Sequence, residues 1–135
     1  MASPTATVLA LDHIVLVVTD PERTLAWYAH HAGLAGVRVE EWRAGEAPFP
    51  SLRVDAATII DLVPGLDDPG PRGHLDHICF VVSRAALDAL AAEPDLTIEA
   101  SGPRYGARGD GQSIYVRDPD GLTVEFRTYE GIGTA

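Results

Sequence analysis

The chain has one cysteine, half as many basic as acidic side chains, and no apolar run approaching the ~20 residues of a membrane-spanning helix. Each shortage excludes something. A lone Cys79 cannot close an internal disulfide. It lies in the apolar run Ile78-Cys79-Phe80-Val81-Val82, where a thiol packs as a small hydrophobe. Ten Lys and Arg against twenty Asp and Glu give a net charge of -10, which repels phosphate backbones and anionic lipid, so neither nucleic acid nor a membrane is expected as a partner. The charge is spread along the chain, which suits solubility better than an interaction tail. Met1 to Ala10 lack a basic segment followed by a long apolar one, so the expectation is a soluble, cytoplasmic protein.

What is present is a repeat. Leu11-Asp12-His13-Ile14 returns 64 residues later as Leu75-Asp76-His77-Ile78, each copy leading into an apolar stretch. The same offset sets Asp61, in Ile59-Ile60-Asp61-Leu62, against Glu125, in Thr123-Val124-Glu125-Phe126. A histidine early and a carboxylate late in both halves imply two copies of one supersecondary unit. The 135 residues then divide into an N-terminal extension (1–10) and one domain (11–130), made of module one (11–63), a Pro/Gly-rich linker (64–74) and module two (75–130).

Each half reads as strand, helix, then strands. In the first, a strand over 11–18 precedes a helix capped by Asp20 and stopped by Gly33, with Leu25, Tyr28, Ala29 and Ala32 expected inward. Strands are expected over 37–42, 52–54 and 58–63, with a tight turn near Asp55. In the second, a strand over 77–82 precedes a helix over 85–92, capped by Ser83, with Leu87, Leu90 and Ala91 inward. Strands over 97–100, 113–117 and 122–129 follow, the last two joined by an Asp118-Pro119-Asp120-Gly121 turn. The glycine-rich stretch 102–111 is expected to be a flexible lid. His74 and His77, three apart on a strand, face opposite sides, so His74 is read as a loop residue. His30 and His31 suit the C-terminal end of the first helix.

These features resemble the vicinal oxygen chelate superfamily, which includes glyoxalase I, methylmalonyl-CoA epimerase, extradiol dioxygenases and fosfomycin- and bleomycin-resistance proteins. The carriers are the two Leu-Asp-His-Ile copies, Thr24-Leu25-Ala26-Trp27-Tyr28 with Gly33-Leu34, and Tyr115-Val116-Arg117-Asp118-Pro119-Asp120-Gly121 leading to Val124-Glu125-Phe126. The resemblance implies an α+β fold of two tandem βαβββ modules, curved into a partly open mixed β-barrel around a metal-binding cavity. It also implies a homodimer. It transfers four metal ligands, His13, Asp61, His77 and Glu125, a set suited to one divalent Zn, Ni, Fe, Mn or Co ion. Asp61 departs from the glutamate of glyoxalase I and the glutamine of the epimerase, being shorter by one carbon-carbon bond, about 1.5 Å. Direct ligation, ligation through water, and action as a free base all stay open for it.

Strand alternation places Thr123, Arg127 and Tyr129 on the face of Glu125. Arg127 then meets either an anionic substrate group or a salt-bridge partner, and Tyr129, Tyr105 and Trp42 join it as candidate substrate contacts. Tyr115 resembles an active-site tyrosine of extradiol dioxygenases. The leading functional expectation is a glyoxalase- or epimerase-like lyase or isomerase acting on a small molecule, with Glu125 or Asp61 as base. An iron-dependent oxygenase using Tyr115 and a metal-free binding protein of the bleomycin-resistance type are the alternatives.

Overall fold

The first helix is specified at both ends by its own sequence. In the computed structural model, which describes residues 3–65, 75–117 and 123–132, β1 (Ala10–Val18) is followed by Asp20. Its carboxylate accepts from the amides of Glu22 (3.0 Å) and Arg23 (3.4 Å) and so starts α1 (Pro21–Ala32). Gly33 ends the helix in the left-handed region, φ 69°, which costs glycine nothing. Leu25 and Tyr28 pack with Val18, Leu52 and Leu62. Ala29 and Ala32, expected inward, are exposed, because the helix meets its core through the larger Leu25 and Tyr28.

The expected strand over 37–42 is a different structure. β2 (Ala35–Val37) ends at Arg38, which turns the chain at φ 59°, and Val39–Arg43 form a short helix, α2. Two interactions favour the helix. Val39 and Trp42, three apart, pack together on the Leu25–Leu52–Leu62 cluster. Arg43 pairs with Glu40 one turn earlier (2.6 Å) and with Glu22 of α1 through both carboxylate oxygens (2.7 and 2.8 Å). β3 (Ser51–Asp55) and β4 (Thr58–Pro64) then form a hairpin whose turn is held by Asp55 accepting from the Ala57 amide (2.9 Å).

The second half follows the same plan. β5 (Leu75–Val81) leads to Ser83, whose hydroxyl accepts from the Ala86 amide (3.1 Å) and caps α3 (Arg84–Ala91). Leu87 and Leu90 join Val82 and Ile114 in a second core, with Ala86 in place of the expected Ala91, which is exposed. The expected strand over 97–100 and lid over 102–111 are replaced by one antiparallel hairpin, β6 (Ala100–Gly106) with β7 (Gly109–Arg117). Two of the glycines here meet close neighbours: a Cβ on Gly106 would stand 1.9 Å from Arg127 Nη1 and one on Gly111 3.0 Å from the Thr128 carbonyl, whereas Gly109 takes φ 93° in open space. β8 (Thr123–Thr128) pairs with β7 and, in parallel, with β5.

The chain divides into two compact units, His13–Asp76 and Met1–Asp12 with His77–Ala135, so the division falls inside both Leu-Asp-His-Ile copies. The N-terminal residues read as an extension belong to the second of these units. There the Leu9 amide donates to the Val81 carbonyl (2.8 Å), and Ala6 packs on the α3 core.

The duplication is visible in register. In one unit His13 is paired with Ile59 and Val15 with Asp61; in the other, His77 is paired with Thr123 and Cys79 with Glu125, each position 64 residues on. Ser51 lies opposite Asp61 as Tyr115 lies opposite Glu125. The fold is therefore α+β with two βαβββ modules, the first carrying α2 as an insertion. Of the linker expected over 64–74, Pro64 closes β4 and residues 66–74, His74 among them, lie outside the described residues, as does the Asp118–Gly121 turn. No helix among the described residues is long and apolar enough to cross a membrane.

Candidate functional site

Alternation gives each unit one apolar face toward its helix and one face carrying the polar residues of the repeat. In the unit of His13–Asp76, Leu52, Ile60 and Leu62 point toward α1, which leaves Ser51, Asp61 and His13 on the opposite face. All three are buried. Ser51 Oγ donates to Asp61 Oδ1 (2.5 Å), and the other oxygen, Oδ2, stands 3.7 Å from His13 Nε2.

The second unit repeats this arrangement and adds to it. Ser113 Oγ donates to Glu125 Oε2 (2.7 Å), while Oε1 faces His77 Nε2 at 3.1 Å. Oε2 also accepts from Arg127 Nη2 (2.7 Å). The Tyr115 ring meets the His77 ring edge-on, centroids 5.7 Å apart. Burial, and then the nearby Glu125 charge, push the Tyr115 hydroxyl well above the ordinary tyrosine range.

Arg127 is fully buried. Besides Glu125 it donates to the carbonyls of Arg104 and Tyr105 and to the Tyr129 hydroxyl, each at 3.2 Å. Its Nε forms no hydrogen bond among the described residues and lies 3.9 Å from Asp12 Oδ2. Burial disfavours its charge, but the Glu125 carboxylate reverses that penalty and holds the guanidinium protonated. Tyr129 donates a short hydrogen bond to Asp12, whose Oδ2 also accepts from the Ala107 amide (3.0 Å). Burial, followed by that bond, pushes the Tyr129 hydroxyl up to about 12. Gly106 makes the packing possible, since a Cβ there would stand 1.9 Å from Arg127 Nη1.

The sequence-derived set thus falls into groups. His13 meets Asp61 within one unit, and His77 meets Glu125 and Tyr115 within the other. Arg127 and Tyr129 share the face of Glu125 as alternation requires, but Arg127 takes the salt-bridge role and is closed to substrate. Trp42 packs against the α1 core, on the face opposite Asp61. Alternation along β6 likewise sets the Tyr105 side chain away from Arg104 and Gly106. Sequence reasoning missed Ser51, Ser113, Asp12 and Gly106. Ser113 was within reach of it, being two residues from Tyr115 on the same strand face, and Asp12 stands beside His13 in the repeat.

The donor chemistry fits a divalent cation. Imidazole nitrogen and carboxylate oxygen converge in each unit, and ligands bound at about 2.0–2.2 Å from an ion stand roughly 3 Å apart. The serines satisfy the carboxylate oxygens turned away from the histidines, as outer hydrogen bonds do around metal ligands.

A profile of the Glyoxalase/Bleomycin resistance protein/Dioxygenase superfamily matches residues 10–126, and the chain belongs to that superfamily. Among characterised sequences it is 31% identical over 123 residues to virulence protein STM3117 of Salmonella typhimurium, covering 88% of this chain and 83% of that one. It is also 31% identical to the glyoxalase domain-containing protein RDO1 of Mycosarcoma maydis, over 91% of this chain and 70% of that one. The fold is shared with methylmalonyl-CoA epimerase from Mycobacterium tuberculosis (TM-score 0.65, 21% identity, 94% of this chain and 92% of that chain). A Mn(II)-bound glyoxalase from Novosphingobium aromaticivorans is also similar (TM-score 0.62, 21% identity, 91% of this chain and 40% of that chain).

Proposed function

We propose that the protein is a metal-dependent lyase or isomerase of the glyoxalase or epimerase kind, with His13, His77 and Glu125, together with Asp61, serving one divalent ion. The observation that carries this reading is the repeated pair of histidine and carboxylate, in which one carboxylate oxygen is turned to an imidazole and the other is held by a serine hydroxyl, drawn from a different position in each module. A metal-free binding cleft has no use for that arrangement twice. The Mn(II) of the Novosphingobium glyoxalase supports a metal in this fold without naming the ion here. When bound, a divalent ion supplies Lewis-acid polarisation of a substrate oxygen.

The two carboxylates divide the remaining work. Glu125 is fixed by Ser113 and neutralised by Arg127, which suits a permanent ligand. The position corresponding to Arg127 in the other module is Val63, so the two carboxylates have different surroundings, and the proton transfer is assigned to Asp61. A positioned base contributes typically 10²–10⁴-fold. Assembly as a homodimer in the cytoplasm is part of the same reading.

The test is solvent deuterium incorporation next to a carbonyl, using methylmalonyl-CoA and a 2-oxoaldehyde hemithioacetal with protein loaded in turn with Zn, Ni, Mn, Co and Fe(II). Metal-dependent exchange that drops at least 100-fold in Asp61→Asn, with metal content retained, is the expected result. Exchange that persists in Asp61→Asn removes the base assignment, and oxygen uptake without exchange removes the lyase or isomerase reading.

A further inference from the structure

With Arg127 buried and committed to Glu125 and to two carbonyls, Arg104 is an exposed cation on the face of the His77–Glu125 pair, where exposed Arg117 is taken up by Glu99. Pairing of β6 with β7 sets Arg104 opposite Gly111 and Gly102 opposite Ser113, and pairing of β7 with β8 sets Ser113 opposite Arg127. Arg104 therefore shares a face with Ser113, Tyr115, Glu125 and Arg127. Its guanidinium lies over the Tyr115 ring, 5.5 Å from the centroid, and that ring in turn meets His77. Gly102 leaves the space for this, since a Cβ there would stand 3.2 Å from Arg104 Nη1. The backbone beneath is held by Arg127, which donates to the Arg104 carbonyl.

Among the described residues the Arg104 guanidinium donates to the Pro103 carbonyl (2.9 Å) and forms no ion pair. A cation over an aromatic face is attracted to it, and a guanidinium carries five N–H donors, of which one bond is made to Pro103. In a chain of net charge -10, an anionic ligand approaches against the overall field, so a local cation decides whether it is retained.

We propose that Arg104 is a specificity-determining residue of this site, selecting small molecules whose chelating oxygens are joined by a short carbon chain to a second carboxylate. The proposal rests on the metal-dependent reading above. It is tested by calorimetric titration of Mn(II)-loaded protein with 2-oxoglutarate and 2-oxopentanoate, which share the 2-oxo acid head and differ in the distal carboxylate, with metal content measured on the same samples. The wild type is expected to prefer 2-oxoglutarate about tenfold, the scale of one charge-assisted contact. Arg104→Gln is expected to abolish the preference and leave 2-oxopentanoate binding unchanged. Arg108→Gln removes the same charge from the same hairpin and is expected to keep the preference.

Equal binding of the two acids, binding of neither, a preference retained in Arg104→Gln, or one lost equally in Arg108→Gln overturns the proposal. Loaded protein without the preference sinks the Arg104 assignment alone. A wild type that takes up no metal sinks the metal reading and this proposal with it.

Discussion

Asp12 and Asp76 hold the same place in the two copies of Leu-Asp-His-Ile, yet Asp12 is fully buried beside Arg127 and Tyr129 while Asp76 is exposed. The pattern extends through the modules. The pairing of histidine strand with carboxylate strand is identical in both, and each carboxylate takes a serine hydroxyl. Around that shared frame, Arg127 corresponds to Val63. The two modules share the pairing of histidine strand with carboxylate strand, while the residues around it differ: Ser51 corresponds to Tyr115 rather than to Ser113, and the cation that pairs with Glu125 is matched by Val63.

Removing the network's centre is the strongest way to break that comparison. Arg127→Met leaves Glu125 and Asp12 buried without their cation and is expected to cost about 3–5 kcal/mol in denaturant unfolding, whereas Val63→Met stays below about 1.5 kcal/mol. Similar losses at the two positions would mean that the modules are supported alike. Gly106→Ala attacks the same network by steric displacement, with its Cβ 1.9 Å from Nη1 and 2.5 Å from Cζ of Arg127, and is expected to cost about 2–3 kcal/mol.

The shared frame gives smaller, matched effects. Ser51→Ala and Ser113→Ala each strip a buried carboxylate oxygen of its hydroxyl donor, and about 1–2 kcal/mol is expected from each. A loss confined to one serine would show that the two carboxylates depend unequally on their hydroxyl donors. Smaller still are the helix caps: Asp20→Ala, which takes two amides, is expected to cost about 1 kcal/mol, and Ser83→Ala, which takes one, about half that.

The asymmetry also has a pH signature. Tyr129 is pushed from 10.0 up to about 12, so its neutral form is favoured in the folded state. Its contribution to stability is complete below pH 10 and is lost as pH rises through about 12. Ultraviolet titration of the wild type against Tyr129→Phe should show one phenol absent from the late-ionising set. A Tyr129 that ionises near pH 10 would contradict its burial with Asp12.

The repeat made the histidine and carboxylate strands legible because a strand's two-residue period and a fixed offset are linear features of the sequence. The caps at Asp20 and Ser83 were legible for the same reason, since a cap acts within three residues of itself. What the sequence hid depends on distant partners. Val37 to Trp42 alternate like a strand, and only the pairing of Arg43 with Glu22, 21 residues away, together with the packing of Trp42, reveals the helix. The glycines over 102–111 read as a lid because glycine serves freedom and close approach equally, and Arg127 and Thr128, which use the close approach, lie on another strand. Arg127 itself was placed on the correct face, but its partner could not be chosen without Glu125, Asp12 and Tyr129 around it.

Under the proposed function, His13, His77 and Glu125 hold one metal ion. The most direct test of this is elemental analysis of protein purified without a chelating tag, beside His13→Ala and His77→Ala. About one divalent ion per chain, lost in each variant with folding intact by circular dichroism, is the predicted result. Metal retained in full by either variant, or a folded wild type that takes up none after exposure to Zn, Ni, Mn, Co and Fe(II), would contradict it.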